Sequence, residues 1–511
     1  MGMKEFPISH FNGFRDTDEL VIYTGRGKTQ TNSYGVEAVV VNSRVMIYGS
    51  NNHDIPENGY VVSGHGKAAE FIKSNVCDGA KIEINTDTMI LSVEIDSIAK
   101  AIGCEKMFSE IESRNRDRIN EGCSFDRPRV AELLAKMRKA IDSEDYDELD
   151  RNYEQAYYLT SESKKDEIRA VWHRPHEHSD DEVNETVLRL KNGGFNQILI
   201  ETDYEGYSNA LKLKHDYLPV RKGYENGFDV IEAFIQAGKK YGVKIHAWFE
   251  DFFYGVKGCG CPMAELHPEW MARRKDGGML HDAYDDFYFL NPVIPEVRTL
   301  LLNHIRELLD NYDFDGFQLD YIRYPVMHGI DRCAGFDDYT KTAFLRDTGI
   351  GLDNISDENS EEWILFTKWR AQFVSDYVKE VSRLVREYSL KGREIKLSTA
   401  VFGDPEEAIR LKAQDWRRWV TEGLLDAIYP MAYLPDAKDV GKEVHNMVSN
   451  YGQAPNISGI SPMYSHLPAI ESTKQVEECR KAGAVGVAFF CSDNCTDEQL
   501  ENLKKGVFRI E

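Results

Sequence analysis

Hydrophobic positions change their period twice along this chain. Up to about residue 95 apolar residues come in short runs broken by turn chemistry. Val36 to Val41 and Arg44 to Tyr48 flank Asn42-Ser43, and Ile55 to Gly66 sets Pro, Asn and Gly around another strand-like run. That pattern predicts β structure with a hairpin turning at Asn42-Ser43. From about 96 to 165 the period becomes helical. Val130, Leu133, Leu134, Met137 and Ile141 follow the start signal Asp126/Pro128, and Leu149, Tyr153 and Tyr157 recur four residues apart. Two helices packed as a hairpin are expected there.

Past 165 strands and helices alternate. Strand-like runs are Ile168 to Trp172, Gln197 to Ile200, Val243 to Phe249, Phe314 to Leu319, Ile395 to Val401, Leu424 to Tyr429, Ile457 to Pro462 and Val485 to Phe490. Helical stretches lie between most of them. One, opened by Ser179 with Glu182 three residues on, has a capping-box signature and stops at Gly193-Gly194. A longer one, from about 361 to 388, carries the stripe Trp363, Phe366, Trp369, Phe373, Tyr377 and Val381. The eight strands predict an α/β fold, a (β/α)8 TIM barrel over 166–511. An N-terminal β-rich accessory domain (1–95) and a helical connector (96–165) precede it. A doubly wound sheet is the alternative, but no Gly-rich phosphate loop follows any of the strands.

Composition removes several function classes. Lys and Arg number 62 against 86 Asp and Glu, a net charge of −24. Such a field repels phosphate backbones and anionic lipid, so neither nucleic acid nor a membrane surface is an expected partner, whereas a neutral glycan is compatible. The start, MGMKEFPISH, has no apolar signal-peptide core, so the chain as given reads as cytoplasmic unless an export signal was trimmed from it. Nine scattered cysteines do not form a disulfide pattern, and Cys259 and Cys261 lack a second pair at zinc spacing.

In a parallel barrel only the residues at strand C-termini share the active-site face. Read in order these are Trp172, His173 and Arg174; Glu201 and Asp203; Trp248, Glu250 and Asp251; Asp320, Tyr321 and Arg323; Asp404; Tyr429 and Tyr433; Tyr464; and Asp493. The mouth is acidic and aromatic. Paired carboxylates suit glycosidic cleavage, and aromatic rings offer flat faces to sugars. Asp320 is the leading catalytic candidate. Trp172, His173, Glu201, Trp248, Asp251, Tyr321, Arg323, Tyr429, Tyr433 and Asp493 are expected to bind an oligosaccharide or polysaccharide. No cofactor or metal is expected: His176-Glu177-His178 lies near the first strand, but no histidines end the fifth and sixth. Asp315 and Asp426 fall at strand starts, where turn or helix-end roles are expected instead.

Four segments resemble the bacterial glycosyl-hydrolase-like family 10. They are Phe289-Leu290-Asn291-Pro292 with Pro295 to Arg298; Asp315 to Pro325, matching D-G-x-x-L-D-Y-x-R-Y-P; Ala400 to Pro405 with Gln414-Asp415-Trp416; and Pro430-Met431-Ala432-Tyr433. The resemblance covers about 168 to 495. It implies a (β/α)8 glycoside hydrolase with Asp320 as principal carboxylate and Asp404 as the best-matched second acid. One departure stands out. The family's A-W-F/L-N-P is here Ala247-Trp248-Phe249-Glu250-Asp251, so an acid replaces an amide and Glu250 becomes a rival proton donor. A glycan-binding protein that keeps the cleft but not the turnover is the alternative function.

Overall fold

The computed structural model describes residues 3–29, 31, 35–49, 51–224, 226–281, 286–327, 329–451, 454–462 and 467–509. Its N-terminal part is an eight-stranded, largely antiparallel sheet. The hairpin there joins Gly35–Val41 to Arg44–Tyr48. Asn42 and Ser43 both take positive φ, 51° and 59°. Two successive left-handed residues give the turn whose twist matches the strands it connects. Helices at Ser97–Asn120, Arg127–Asp142 and Tyr146–Leu159 follow, and the last two pack together. Asp126 starts the second of these helices by accepting from the Arg129 amide.

The barrel strands run β1 (Ile168–His173), β2 (Gln197–Glu201), β3 (Lys244–Glu250), β4 (Gly316–Asp320), β5 (Lys396–Val401), β6 (Ala427–Pro430), β7 (Ile457–Ile460) and β8 (Gly486–Phe489). They pair in parallel in one sheet ordered 6-5-4-3-2-1-8-7. The parallel bridges Ile428–Asn456 and Met431–Gly459 join β6 to β7 and bring the ends of that sheet together. This is the (β/α)8 barrel that the alternation predicts.

Period-two alternation decides which side chains enter it. Ala170, Trp172, Leu199, Trp248, Tyr429, Ile457 and Ala488 pack against one another inside. Val171, Ile198, Ile200, Phe249, Leu319, Val401, Val487 and Phe489 face the surrounding helices. The capping signature at Ser179 starts the helix Asp180–Asn192, as its pattern predicts, but only half of the box forms. Ser179 accepts from the Glu182 amide, while Glu182 accepts from the His178 amide rather than the Ser179 one.

Polar and close-packed contacts tie the N-terminal parts to the barrel. Arg114 forms a forked, mostly buried ion pair with Glu477, to which Tyr157 Oη also donates. Gly49 of the sheet lies against Asp436, in the loop after β6; a Cβ there would sit 3.0 Å from its Oδ2. The accessory sheet thus reaches the C-terminal face of the barrel, the face that carries the candidate site.

Candidate active site

Three successive strands each end on an inward carboxylate: Glu201 on β2, Glu250 on β3 and Asp320 on β4. Glu250 pairs in register with Asp320, and Glu201 pairs with Trp248. Neighbouring strands lie about 4.8 Å apart, so the three acids form a continuous arc. Asp320 is the most accessible of them, half-buried where Glu201 and Glu250 are buried. Its Oδ2 accepts from Trp248 Nε1 at 2.9 Å and its Oδ1 from the Tyr321 amide at 2.6 Å. That second bond forms where Tyr321 adopts φ 46°, which turns the chain sharply at the strand end.

Arg174 lies across the mouth. Its Nε donates to Glu201 Oε1 at 3.0 Å, and its guanidinium carbon stands 4.2 Å from the Tyr204 ring and 5.2 Å from Trp248. Phe490 packs edge-on to both Trp172 and Trp248, and Tyr433 lies 5.7 Å from Phe490. The result is a charged arc in an aromatic frame.

Electrostatics separate the acids. Burial pushes Glu250 well above the usual carboxylate range, and the adjoining Glu201 and Asp320 raise it further. Burial raises Glu201 as well, but Arg174 opposes the shift. Both acids are thus pushed toward their neutral forms, Glu250 the more strongly because Arg174 bonds directly to Glu201. Burial also raises Asp320, against the pull of the Tyr321 amide and Trp248 Nε1. Behind Glu250 a small cavity is lined by Asp203, Tyr254 and His304, with Asp203 Oδ2 3.6 Å from His304 Nε2.

Other residues expected at the mouth fall elsewhere. Asp404 is exposed and caps the helix Pro405–Lys412, its Oδ1 accepting from the Glu407 amide at 2.8 Å. Glu443, beside Gly403, is held up to about 7 by burial and then by Asp404 and Glu407. Asp251 follows Glu250 and so turns the opposite way. It is fully enclosed and accepts from Tyr377 Oη on the long helix Glu361–Leu390 at 2.7 Å, which corrects its expected place in the cleft. His173 likewise points outward, to Ser492 Oγ and Glu177, and so does not line the cleft as expected. Trp172 and Tyr429 are interior residues: Trp172 Nε1 donates to Gln318, and Tyr429 Oη accepts from Gln197 at the β2 start. They form the floor. Arg323 is buried and stacks on Tyr321 at 4.6 Å, with Phe402 and Phe289 also close. Asp493 is half-exposed, 3.9 Å from His176. Tyr464 lies outside the described residues.

Several motif residues prove to be scaffold. Asn291 is fully buried, donates to Asp337 and Thr340, and accepts from Tyr324 Oη. Gln414 accepts from the Phe402 amide, which holds the β5 end. Asp315 and Asp426 accept from the Ile245 and Leu397 amides at strand starts, as their positions predict. Sequence reading missed Tyr204 and Phe490 as the frame for Arg174. Each stands within three residues of a strand end, the one signal that pointed to them. His173, His176 and Glu177 form a group able to hold a metal ion, a different set from the His-X-His considered from sequence.

With that geometry in view, the class of protein is a glycoside-hydrolase-like barrel. The chain belongs to the glycosyl hydrolase-like 10 family, whose model matches residues 167–457. It is 24% identical over 267 residues to glycosyl hydrolase YngK of Bacillus subtilis (strain 168), covering 47% of this chain and 46% of that protein. It is 23% identical over 273 residues to glycosyl hydrolase DigH of Escherichia coli (strain K12), covering 50% and 58%. The match thus spans about half the length of these relatives. Among solved structures, a β-galactosidase from the psychrophilic Marinomonas ef1 aligns over 63% of this chain and 54% of its own, with 13% identity and a TM-score of 0.45.

Proposed function

We propose that this protein is a glycoside hydrolase that cleaves O-glycosidic bonds of an oligosaccharide or polysaccharide, with Asp320 as the attacking or water-activating carboxylate and Glu250 as proton donor. The observation that carries the reading is the in-register pairing of Glu250 with Asp320: one acid is kept neutral by burial and its neighbours, the other reaches the cleft. Glycosidic cleavage needs such a division between a protonated and an ionised carboxyl. Asp404, the second acid implied by resemblance, is less suited to be the donor, because its carboxylate is engaged as the cap of the helix Pro405–Lys412. The names of the two glycosyl hydrolase relatives support the same class of reaction. The net charge of −24 favours a glycan over nucleic acid or anionic lipid.

One observation favours the second reading, a glycan-binding barrel without turnover: both Glu250 carboxyl oxygens are enclosed. A panel of purified glycans, read by newly released reducing ends, separates the two. Turnover that disappears in Asp320→Asn supports hydrolysis. Saturable glycan binding with no new reducing ends on any glycan supports the binding protein.

A further inference from the structure

Away from the carboxylate arc, the loop leaving β1 gathers two imidazoles and a carboxylate. One ligand atom from each of His173, His176 and Glu177 lies within 4.8 Å of the others. His173 Nε2 and Glu177 Oε2 are 3.2 Å apart, close to one edge of a tetrahedron around a zinc-sized ion. His173 and Glu177 are buried, whereas His176 faces solvent.

The surroundings resemble those of metal ligands rather than of a simple ion pair. The Nδ1 of His173 meets Ser492 Oγ at 2.7 Å, and the Nδ1 of His176 meets the Arg174 carbonyl at 3.1 Å. An oxygen partner on Nδ1 can hold that nitrogen's proton, so that a cation displacing the proton between His173 Nε2 and Glu177 would meet Nε2 as its ligand. The remaining oxygen of Glu177 accepts from Thr186 Oγ1 at 2.7 Å, which orients the carboxylate. Asp493 borders the group, with its Oδ1 3.9 Å from His176 Nδ1. A set of two histidines and one carboxylate suits zinc and its neighbours in the first transition row, and it leaves a coordination position open on the solvent side.

We propose that His173, His176 and Glu177 form a divalent transition-metal site, of the zinc class, at the rim of the cleft. The ion ties the β1 loop to the helix bearing Thr186. Because Arg174 lies between two of the ligands, the ion also fixes the backbone that sets its guanidinium against Glu201.

The test uses the full chain, stripped with chelator and titrated with Zn2+ against a chromogenic zinc indicator, with Co2+ absorption as a second readout. One ion per chain is expected, with a visible Co2+ spectrum of few-coordinate type. His176→Ala, at an exposed position, should weaken binding by more than about tenfold. Thr186→Val should weaken it by about tenfold through loss of the supporting bond. His178→Ala, two residues away and outside the group, should leave it unchanged. No stoichiometric binding, or binding equally tight in His176→Ala, would overturn the site and leave His173–Glu177 as a buried ion pair only.

Discussion

Glu250 and Asp320 end adjacent parallel strands in register, yet only Asp320 reaches the surface of the cleft. Its two oxygens are held by Trp248 Nε1 and the Tyr321 amide. Asp320→Asn keeps the shape of the side chain while removing the charge. Hydrolysis should fall by orders of magnitude with little change in melting temperature. Near-normal kcat in a well-folded variant would remove Asp320 from the mechanism.

Proton donation separates Glu250 from Asp404. Glu250→Gln should cost most on substrates with poor leaving groups and least on activated aryl glycosides, which need little protonation. Asp404→Asn preserves an N-cap acceptor and should affect both substrate types equally, if at all. Asp404→Ala should cost about 1 kcal/mol of stability through loss of the cap. A leaving-group-selective loss in Asp404→Asn would move the assignment to that residue.

The pH profile follows from the same pair. Asp320 must be ionised, and burial raises it, so activity should fall on the acid side at a pH above the ordinary Asp value of about 3.9. Glu250 must be protonated, so activity should fall again as the pH passes its raised value. Stability has its own signature. Folded Glu250 holds its proton where the unfolded chain has lost it, so wild-type stability should decline from about pH 4.3 upward until Glu250 itself ionises. Glu250→Gln should flatten that decline. Melting curves from pH 4 to 8 that match between wild type and variant would contradict a neutral Glu250.

Arg114 and Glu477 form the main polar tie between the helical segment and the barrel. Burial would raise Glu477, but Arg114 and Tyr157 hold it below the ordinary range. Its contribution is thus present above the unfolded Glu value of about 4.3 and lost as pH falls through the lower folded one. Arg114→Met strands a buried carboxylate and should destabilise by about 3 kcal/mol, measured by urea unfolding at pH 7. The double variant with Glu477→Leu should recover much of that loss. An unchanged single variant would show the pair to be solvated.

A chain beginning near Ser163 tests the role of the N-terminal parts. We expect it to cleave short oligosaccharides and to lose more activity on an intact polymer, since the accessory sheet contacts the loop after β6 at Asp436. It should also be less soluble, because Ile470 loses its helical cover. A folded barrel inactive on both substrates would place a catalytic group before Ser163.

Sequence alone determined the eight barrel strands, their order along the chain and the acids that stand at their ends. Those are local properties: period two against period 3.6, turn residues such as Asn42-Ser43, and caps such as Asp126 and Ser179. It also singled out Asp320, because one run of residues carries both the strand and its terminal carboxylate. Which acids share the mouth depended on the tertiary structure. Glu250 and Asp251 are neighbours in sequence, but pleating sends one inward to Asp320 and the other outward to Tyr377. Asp404 ends a strand segment as convincingly as Glu250 does, yet the following helix claims it as a cap. The pairing of Glu201 with Arg174, which sets Glu201 apart from Glu250, comes from β1 and β2 lying side by side in the folded sheet. Burial and mutual charge set those protonation states, and neither exists until the chain is folded.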